Sequence, residues 1–323
     1  MWKIPCSYRK KLIKSKTQIQ NTHEASASSS RCYLVEQIEI LGHAKINLTL
    51  DILGTRPDGF HEVAMVMQAV ELADTLTLTR REKDGIVLTI DVPWLKANEK
   101  NLAYRAAKLM QEAFADRITG GVAIYLQKRI PMAAGLAGGS ADAAAVLSGM
   151  NELYELHASD EELCTLGAQL GSDIPFTLMG GTMLATGRGE VLKRLPDFPE
   201  TYVVLAKPHI SVSTAWAYGA YDANPATVHP DNAAMLRAIE RGDRKAAAGL
   251  LANVLERATI QRYGRLAAIK QKMVEAGALA SLMSGSGPTL FALAETRAQA
   301  EAVADAVRAS DVDVFVTKTL GKP

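Results

Sequence analysis

The sequence predicts an α+β fold. Three observations point to it. Several strand-like stretches precede the first helical one, Gly- and Pro-bearing turns join strands as hairpins, and the last third mixes helices with strands. That order does not suit a doubly wound parallel sheet, and no internal repeat is visible. With 323 residues, 48% of them hydrophobic and 22% charged, the chain can bury a large core in one large or two medium domains. A net charge of +1 provides no general attraction for nucleic acid or an anionic membrane, so any anion site has to be local. Cys6, Cys32 and Cys164 show no CxxC spacing, which points to a reducing compartment and away from a structural metal. No apolar run reaches the roughly 18 residues of a membrane span. The expectation is a cytoplasmic protein with no nucleic-acid or membrane partner.

Residues 1–37 are basic, Ser-rich towards their end and without sustained apolar period. They are expected to be a disordered extension, either a tail or a start-site artefact, in preference to a targeting segment. From residue 35 apolar and polar residues alternate as in a strand. "RPDGFHE" then reads as a turn, with strands expected at 64–72, 74–79 and 85–92. Residues 101–115 carry helical period, and "GVAIYLQKRI" is a strand. "SDEELCTLGAQLG" opens with the capping-box pair Ser159 and Glu162 and is expected to end on Gly171 as its C′ residue. "GSDIPFTLMGGTMLATGRGE" reads as turn, short strand, glycine turn, strand, and "PDFPE" as a boundary near 196–199. Beyond it come the strand "TYVVLAKP", helices at 232–240, 244–255 and 263–276, and strands near Leu282, at "TLFALAE" and at "VDVFVTKTL".

The chemistry concentrates in a few stretches. "RIPMAAGLAGGSADAAAVLSGMN" leads three glycines (Gly135, Gly138, Gly139) and Ser140 into an Ala-rich helix. A glycine turn feeding a helix N-terminus can bind an anion through unpaired backbone N–H groups and the helix dipole. It can equally be a tight packing turn. It matches neither the Walker A pattern nor GxGxxG, and no Lys or Arg occurs between Ile130 and Gly187. Asp142, in the first helical turn, would repel a bound anion unless a cation intervened, which a Mg²⁺–nucleotide would supply. In "AKINL", Lys45 and Asn47 share one face of a strand. In "GSDIPF", Asp173 sits at a turn, where an Asx turn with its own backbone is the plainer assignment. "SGSGPTLFAL" can form an anion nest or an ordinary glycine loop. For Arg188, in "ATGRGE", a solvated hairpin position is favoured over a phosphate contact.

These stretches, in this order, resemble the GHMP kinase superfamily of galactokinase, homoserine kinase and mevalonate kinase. "AKINL" resembles its first motif, "PMAAGLAGGSADAAA" its phosphate loop and "SGSGPTLFAL" its third motif. The resemblance covers nearly everything after Val35. "GHAKINLTLDILGTRPDGFHEV" with "GSDIPF" is similar to the branch that phosphorylates a cytidyl-methylerythritol alcohol in non-mevalonate isoprenoid synthesis. "GLAGGSADAAA", "GGTMLATGRGE" and "LMSGSGPT" are most like the members from Gram-positive bacteria.

The resemblance implies a two-domain α+β GHMP kinase fold, with an N-terminal kinase domain at 38–198 and a ferredoxin-like C-terminal domain at 199–323. The active site would lie in the cleft between them. ATP would lie on Pro131, Met132, Ala133, Ala134, Gly135, Leu136, Ala137, Gly138, Gly139, Ser140 and Ala141, with Asn101 and Lys128 towards adenine and Mg²⁺ near Ser140. Asp173 would be the base and Lys45 its cationic partner. Asn47, Phe60 and His61 would meet the second substrate, Phe60 by stacking on cytosine. The positive charge missing from the loop would come from Mg²⁺ and Lys45. Ala137 stands where Gly is frequent, Ala141 where Ser is, and Phe60 where Tyr is. The partners implied are small molecules, acting on a monomer or homodimer. Another GHMP kinase of the homoserine or mevalonate type and an inactive GHMP-fold binding protein are the alternatives; "RPDGFHE" argues against the first, and Lys45 with Asp173 against the second.

Overall fold

Two long antiparallel strands, β2 (Gln37–Thr55) and β3 (His61–Arg81), form the spine of the protein in the computed structural model, which describes residues 9–13 and 36–322. The turn between them closes as its residues dictate: Arg56 N–H donates to the Phe60 carbonyl at 2.7 Å, and Asp58 Oδ1 accepts the Phe60 N–H at 3.1 Å. The strands expected separately at 64–72 and 74–79 are one continuous strand. Asp74 does not interrupt it, because its backbone stays in register with Gly42 while its carboxylate bonds the N–H groups of Arg129 and Ile130.

Around this spine an eight-stranded sheet runs β1 (Arg9–Ile13), β2, β3, β5 (Gly121–Gln127), β4 (Ile86–Ile90). β6 (Thr182–Thr186) pairs with the other half of β3 and with β7 (Val191–Arg194), and β9 (Ala252–Asn253) lies parallel to β2 at Thr49–Leu50. The assignment of 1–37 as a disordered extension is corrected at Arg9–Ile13, which pairs antiparallel with Gln37–Ile40. An edge of β2 left with unpaired backbone groups is a template for such an added strand. Gln37 already belongs to β2, and residues 1–8 and 14–35 lie outside the described residues.

Helix α2 (Gly138–Leu153) packs on β2 and β3 and on α1 (Leu102–Ala113). Its run of alanines is what permits this: Ala141, Ala143, Ala144 and Ala145 are all buried, so the backbone approaches the sheet closely. Ile38, Ile40, Leu76, Leu78 and Ile124 fill the space between helix and sheet. The capping box forms at the start of α3 (Asp160–Ala168), with Glu162 N–H donating to Ser159 Oγ and Ser159 N–H to Glu162 Oε2. That helix stops at Ala168, and Gly171 is not its left-handed C′ residue.

The second sheet is antiparallel and four-stranded: β10 (Ala280–Met283), β11 (Leu290–Ala294), β8 (Tyr202–Pro208), β12 (Val312–Lys318). Helices α9 (Arg265–Glu275) and α10 (Arg297–Val307) pack on it. One apolar cluster joins the two sheets, with Leu50, Met67 and Phe176 meeting Val204, Leu290 and Ala292.

Four further expectations are corrected. "IPFTLM", read as a strand, is α4 (Ile174–Met179), where Pro175 sits in the first turn and needs no intrahelical donor. The helix expected over 244–255 is α7 (Arg244–Gly249), ended by the pairing of β9 with β2. Helices α5 (Thr214–Ala223) and α8 (Glu256–Arg262) were not expected, whereas α6 (Asn232–Glu240) was.

The close approach of α2 to β2 is testable at Gly42. A Cβ there would stand 2.6 Å from the Ala141 carbonyl oxygen, a backbone atom that cannot swing away. Gly42→Ala should cost ~1–3 kcal/mol, the range for overpacking a tight core. Scanning calorimetry should show a lowered Tm; an unchanged Tm would mean that the helix docks less rigidly than described.

Candidate active site

Lys45 lies on β2 beside a register shift between His43 and Lys45, an irregularity that frees its backbone N–H to leave the ladder. That N–H donates to the Leu136 carbonyl of the glycine loop at 3.2 Å. The side chain is 4% exposed, and its Nζ donates to Asn47 Oδ1 at 2.6 Å. The shared face expected for Lys45 and Asn47 is therefore present. Asn47 itself is fully buried, with Nδ2 against Met65 Sδ, and orients Lys45 rather than lining the cleft. Burial pushes the Lys45 ammonium below its ordinary value, and the carboxylate of Asp173 pulls it partly back.

Asp173 occupies the N-cap position of α4, but its backbone is already helical and its side chain makes no capping bond. The Asx turn favoured for this residue does not form. Its carboxylate is instead left to the cleft, which it lines with Lys45 and with Tyr218 of α5. Burial, with a further contribution from Asp173, pushes the Tyr218 phenol up to about 12. The roughly 130 positions between Lys45 and Asp173 are thus closed by the fold.

The loop from Pro131 to Ala137 alternates left-handed residues, with φ of 47° at Ala133, 73° at Gly135 and 58° at Ala137. Two alanines held there cost about 1 kcal/mol each, strain of the kind found at binding sites. The first bond inside α2 runs from Ala141 N–H to the Ala137 carbonyl, and no side chain caps the helix. The N–H groups of Gly138, Gly139 and Ser140 are therefore the ones a helix leaves for an outside acceptor. Ala141 lies behind them, buried against Gly42, and does not line the cleft.

"SGSGPT" closes over this loop. Ser284 Oγ donates to the Gly135 carbonyl at 3.0 Å, and a Cβ on Gly135 would stand 2.2 Å from the Ser284 carbonyl oxygen. Only glycine satisfies both that approach and the left-handed φ. Gly285 in turn leaves 3.4 Å between Lys45 Nζ and the place a Cβ would take. Three motifs far apart in sequence meet in one knot. Asn253 of β9 holds it from behind, donating from Nδ2 to the carbonyls of Met283 and Gly285, both at 2.8 Å. Sequence reasoning missed Asn253, since nothing local marks it.

The cleft encloses about 1030 Å³. At one end stand Leu95, Lys100 and Asn101; Asn101 caps α1, its Oδ1 accepting the Ala103 N–H at 2.9 Å. At the other end Phe60 is 53% exposed, with the Arg188 guanidinium 5.1 Å from its ring centroid. Arg188 is thus a wall of the cleft and not a solvated hairpin tip. Its turn is folded back by two bonds, Val63 N–H to the Gly187 carbonyl and Gly187 N–H to Glu62 Oε1. His61 Nε2 pairs with Asp222 at 2.8 Å, and its ring lies 4.8 Å from that of Tyr218. Thr214, Tyr218 and Asp222 line the cleft from one face of α5, an i, i+4, i+8 pattern that could have been read from "TAWAYGAYD".

Lys128 also reaches the cleft wall, but its Nζ is held by Asp74 Oδ2 at 2.5 Å and Asp142 Oδ2 at 2.8 Å. Lys128 is thus a cation of the chain itself that stands against Asp142.

The chain matches known proteins over most of its length. The family described as "GHMP kinases N terminal domain" matches residues 101–181, and "GHMP kinases C terminal" matches residues 235–313. A 4-diphosphocytidyl-2-C-methyl-D-erythritol kinase of Acetivibrio thermocellus is 45% identical over 286 residues, 88% of this chain and all of the relative. Enzymes of the same name from Pelotomaculum thermopropionicum and a Synechococcus are 49% and 48% identical, covering 87% and 86% of this chain and 98% and 93% of their own. A solved structure of 4-(cytidine 5'-diphospho)-2C-methyl-D-erythritol kinase superposes with a TM-score of 0.75 at 35% identity, over 88% of this chain and all of that one. A homoserine kinase from Cytophaga hutchinsonii shares the fold, with a TM-score of 0.70 at 20% identity over 93% of this chain and 98% of its own. This chain belongs to the 4-diphosphocytidyl-2-C-methyl-D-erythritol kinase family of the GHMP kinases.

Proposed function

We propose that the protein transfers the γ-phosphoryl group of ATP to the 2-hydroxyl of 4-diphosphocytidyl-2-C-methyl-D-erythritol, a step of the non-mevalonate isoprenoid pathway. The observation that carries this is the uncapped Asp173 carboxylate beside buried Lys45, in one cleft that the glycine loop and the rings of Phe60, His61 and Tyr218 also line. The triphosphate lies on the N–H groups of the loop and of Gly138, Gly139 and Ser140, with adenine towards Asn101. The cytidine end lies at Phe60, His61 and Arg188, where a ring face and hydrogen-bonding groups suit a pyrimidine. In this reading Asp173 takes the hydroxyl proton as the alcohol oxygen bonds to phosphorus and the bond to ADP breaks. Lys45, fixed by Asn47 and the Leu136 carbonyl, stands beside that carboxylate and offsets charge on the transferring group. The same reading has the enzyme act in the cytoplasm as a monomer or homodimer; separately, no helix among the described residues is long and apolar enough to cross a membrane.

Mg²⁺ would arrive with ATP and neutralise phosphate charge. Among the described residues no cluster of three or more His, Cys, Asp or Glu forms a ready cage. That suits an ion carried mainly by phosphate oxygens, with Ser140 Oγ and Asp173 as the cleft-facing protein oxygens that fit it.

Three measurements test the assignment. In a coupled ADP-release assay, turnover is expected with the cytidyl substrate and not with homoserine or mevalonate; turnover with only one of the latter would replace the proposal. Asp173→Asn should lower kcat at least ~10²-fold, as removal of a general base does, with both KM values little changed. Phe60→Ala should raise KM for the cytidyl substrate roughly tenfold, the worth of one stacked base, while KM for ATP stays put. The pH profile of kcat/KM tests Lys45. Burial lowers its pKa, so raising the pH removes its proton sooner than for a free lysine. Activity should therefore fall on the alkaline side below pH 10.5, its ordinary value. An alkaline limb that is unchanged in Lys45→Arg would show that another group is responsible.

A further inference from the structure

Beneath the loop lies a buried group of three ionisable side chains whose arrangement is not needed for the chemistry above; burial pushes the Asp142 carboxyl up to about 8, against the pull of the Lys128 ammonium. Asp74, on β3, is completely buried, and its carboxylate accepts three hydrogen bonds from the segment entering the loop. Oδ1 accepts the N–H groups of Arg129 at 2.5 Å and Ile130 at 2.9 Å, and Oδ2 accepts Lys128 Nζ at 2.5 Å. The same Nζ donates at 2.8 Å to Oδ2 of Asp142, 3% exposed in the first turn of α2. One ammonium thus bridges the strand exit before the loop and the helix after it. The seven residues between, 131–137, contain all three left-handed positions of the loop.

Two considerations turn this geometry into a role. Lys128 carries no charge to spare for a triphosphate: two carboxylates hold it, and Asp142 Oδ1 is left buried without a hydrogen-bond partner. Nor is stability an adequate reason for the cluster, because apolar side chains of similar size usually stabilise a core as well as a buried ion pair does. What such a cluster supplies that apolar packing does not is register, since ammonium and carboxylates have few ways to satisfy one another. We infer that Asp74, Lys128 and Asp142 form a positioning clamp that joins the two ends of the phosphate loop and so holds its N–H donors where ATP's phosphates arrive.

The inference rests on the reading that this loop receives ATP, and it separates Lys128 from the direct adenine contact that the family resemblance implies. If the clamp acts on the loop, its loss weakens nucleotide binding and leaves the far end of the cleft unaffected.

Lys128→Met, Asp142→Ala and Asp142→Asn test it, with ADP binding followed calorimetrically and both KM values measured. Lys128→Met and Asp142→Ala should each weaken ADP binding and raise KM for ATP about tenfold or more, while KM for the cytidyl substrate moves less than about threefold. Asp142→Asn keeps an oxygen for Lys128 and should bind ADP within about threefold of the unaltered protein. Unchanged ADP binding in Asp142→Ala would overturn the clamp. So would equal losses at both substrates, which mark general unfolding, or an Asp142→Asn as impaired as Asp142→Ala. Should Lys128→Met fail to fold, the two Asp142 variants decide. ADP binding requires no acceptor, so failure of the clamp is distinguishable from failure of the proposed reaction, which the unaltered protein's turnover tests.

Discussion

One hydrogen bond organises this molecule: the backbone N–H of Lys45 donates to the Leu136 carbonyl. It fastens the strand that carries the buried ammonium to the glycine loop that leads into the uncapped N-terminus of α2. Neither part could hold its position alone. The loop contains two left-handed alanines, and the ammonium sits in an environment that works against its own charge. The strained loop persists because it is tied on several sides: to β2 through Lys45, to the 284–287 turn through Ser284 and Gly135, and to β3 through Asp74.

The electrostatics follow from that arrangement. A glycine loop with no Lys or Arg from 131 to 187 still needs positive charge near it. Two lysines approach it, and the fold treats them differently. Lys128 is matched by two carboxylates and contributes geometry, whereas Lys45 keeps a neutral amide partner in Asn47 and faces Asp173 across the cleft. Of these two, Lys45 has no carboxylate among the described residues hydrogen-bonded to its ammonium. The aromatic residues of the cleft work by another principle, in which the exposed Phe60 ring and the tilted His61–Tyr218 pair offer apolar area with polar edges.

Much of this was legible in the chain. Turn chemistry is local, so "RPDGF", the Ser159–Glu162 capping box and the glycine loop could be read without a structure. Where reading failed, a distant partner had decided. "IPFTLM" became a helix, Asp74 stayed within a continuous strand, and the run after Arg244 broke at Gly249 because β9 pairs with β2. Arg188 looked solvated because Gly187 and Glu62, whose bond folds its turn inward, are 125 positions apart.

By itself, then, the sequence determined the residue types and the local turns: an α+β chain, a glycine turn of non-Walker pattern feeding a helix, and a Lys and an Asp whose motifs resemble those of the GHMP kinases. Periodicity and turn propensity act over a few residues, which is why these features needed no fold to be seen. The tertiary structure alone decided which charges are free and which are spent. It left the Asp173 carboxylate uncapped, locked Lys128 between Asp74 and Asp142, and brought Asn253 behind the third motif. Those outcomes depend on burial and on contacts between residues tens to hundreds of positions apart, and only the packed chain brings such groups within reach of one another.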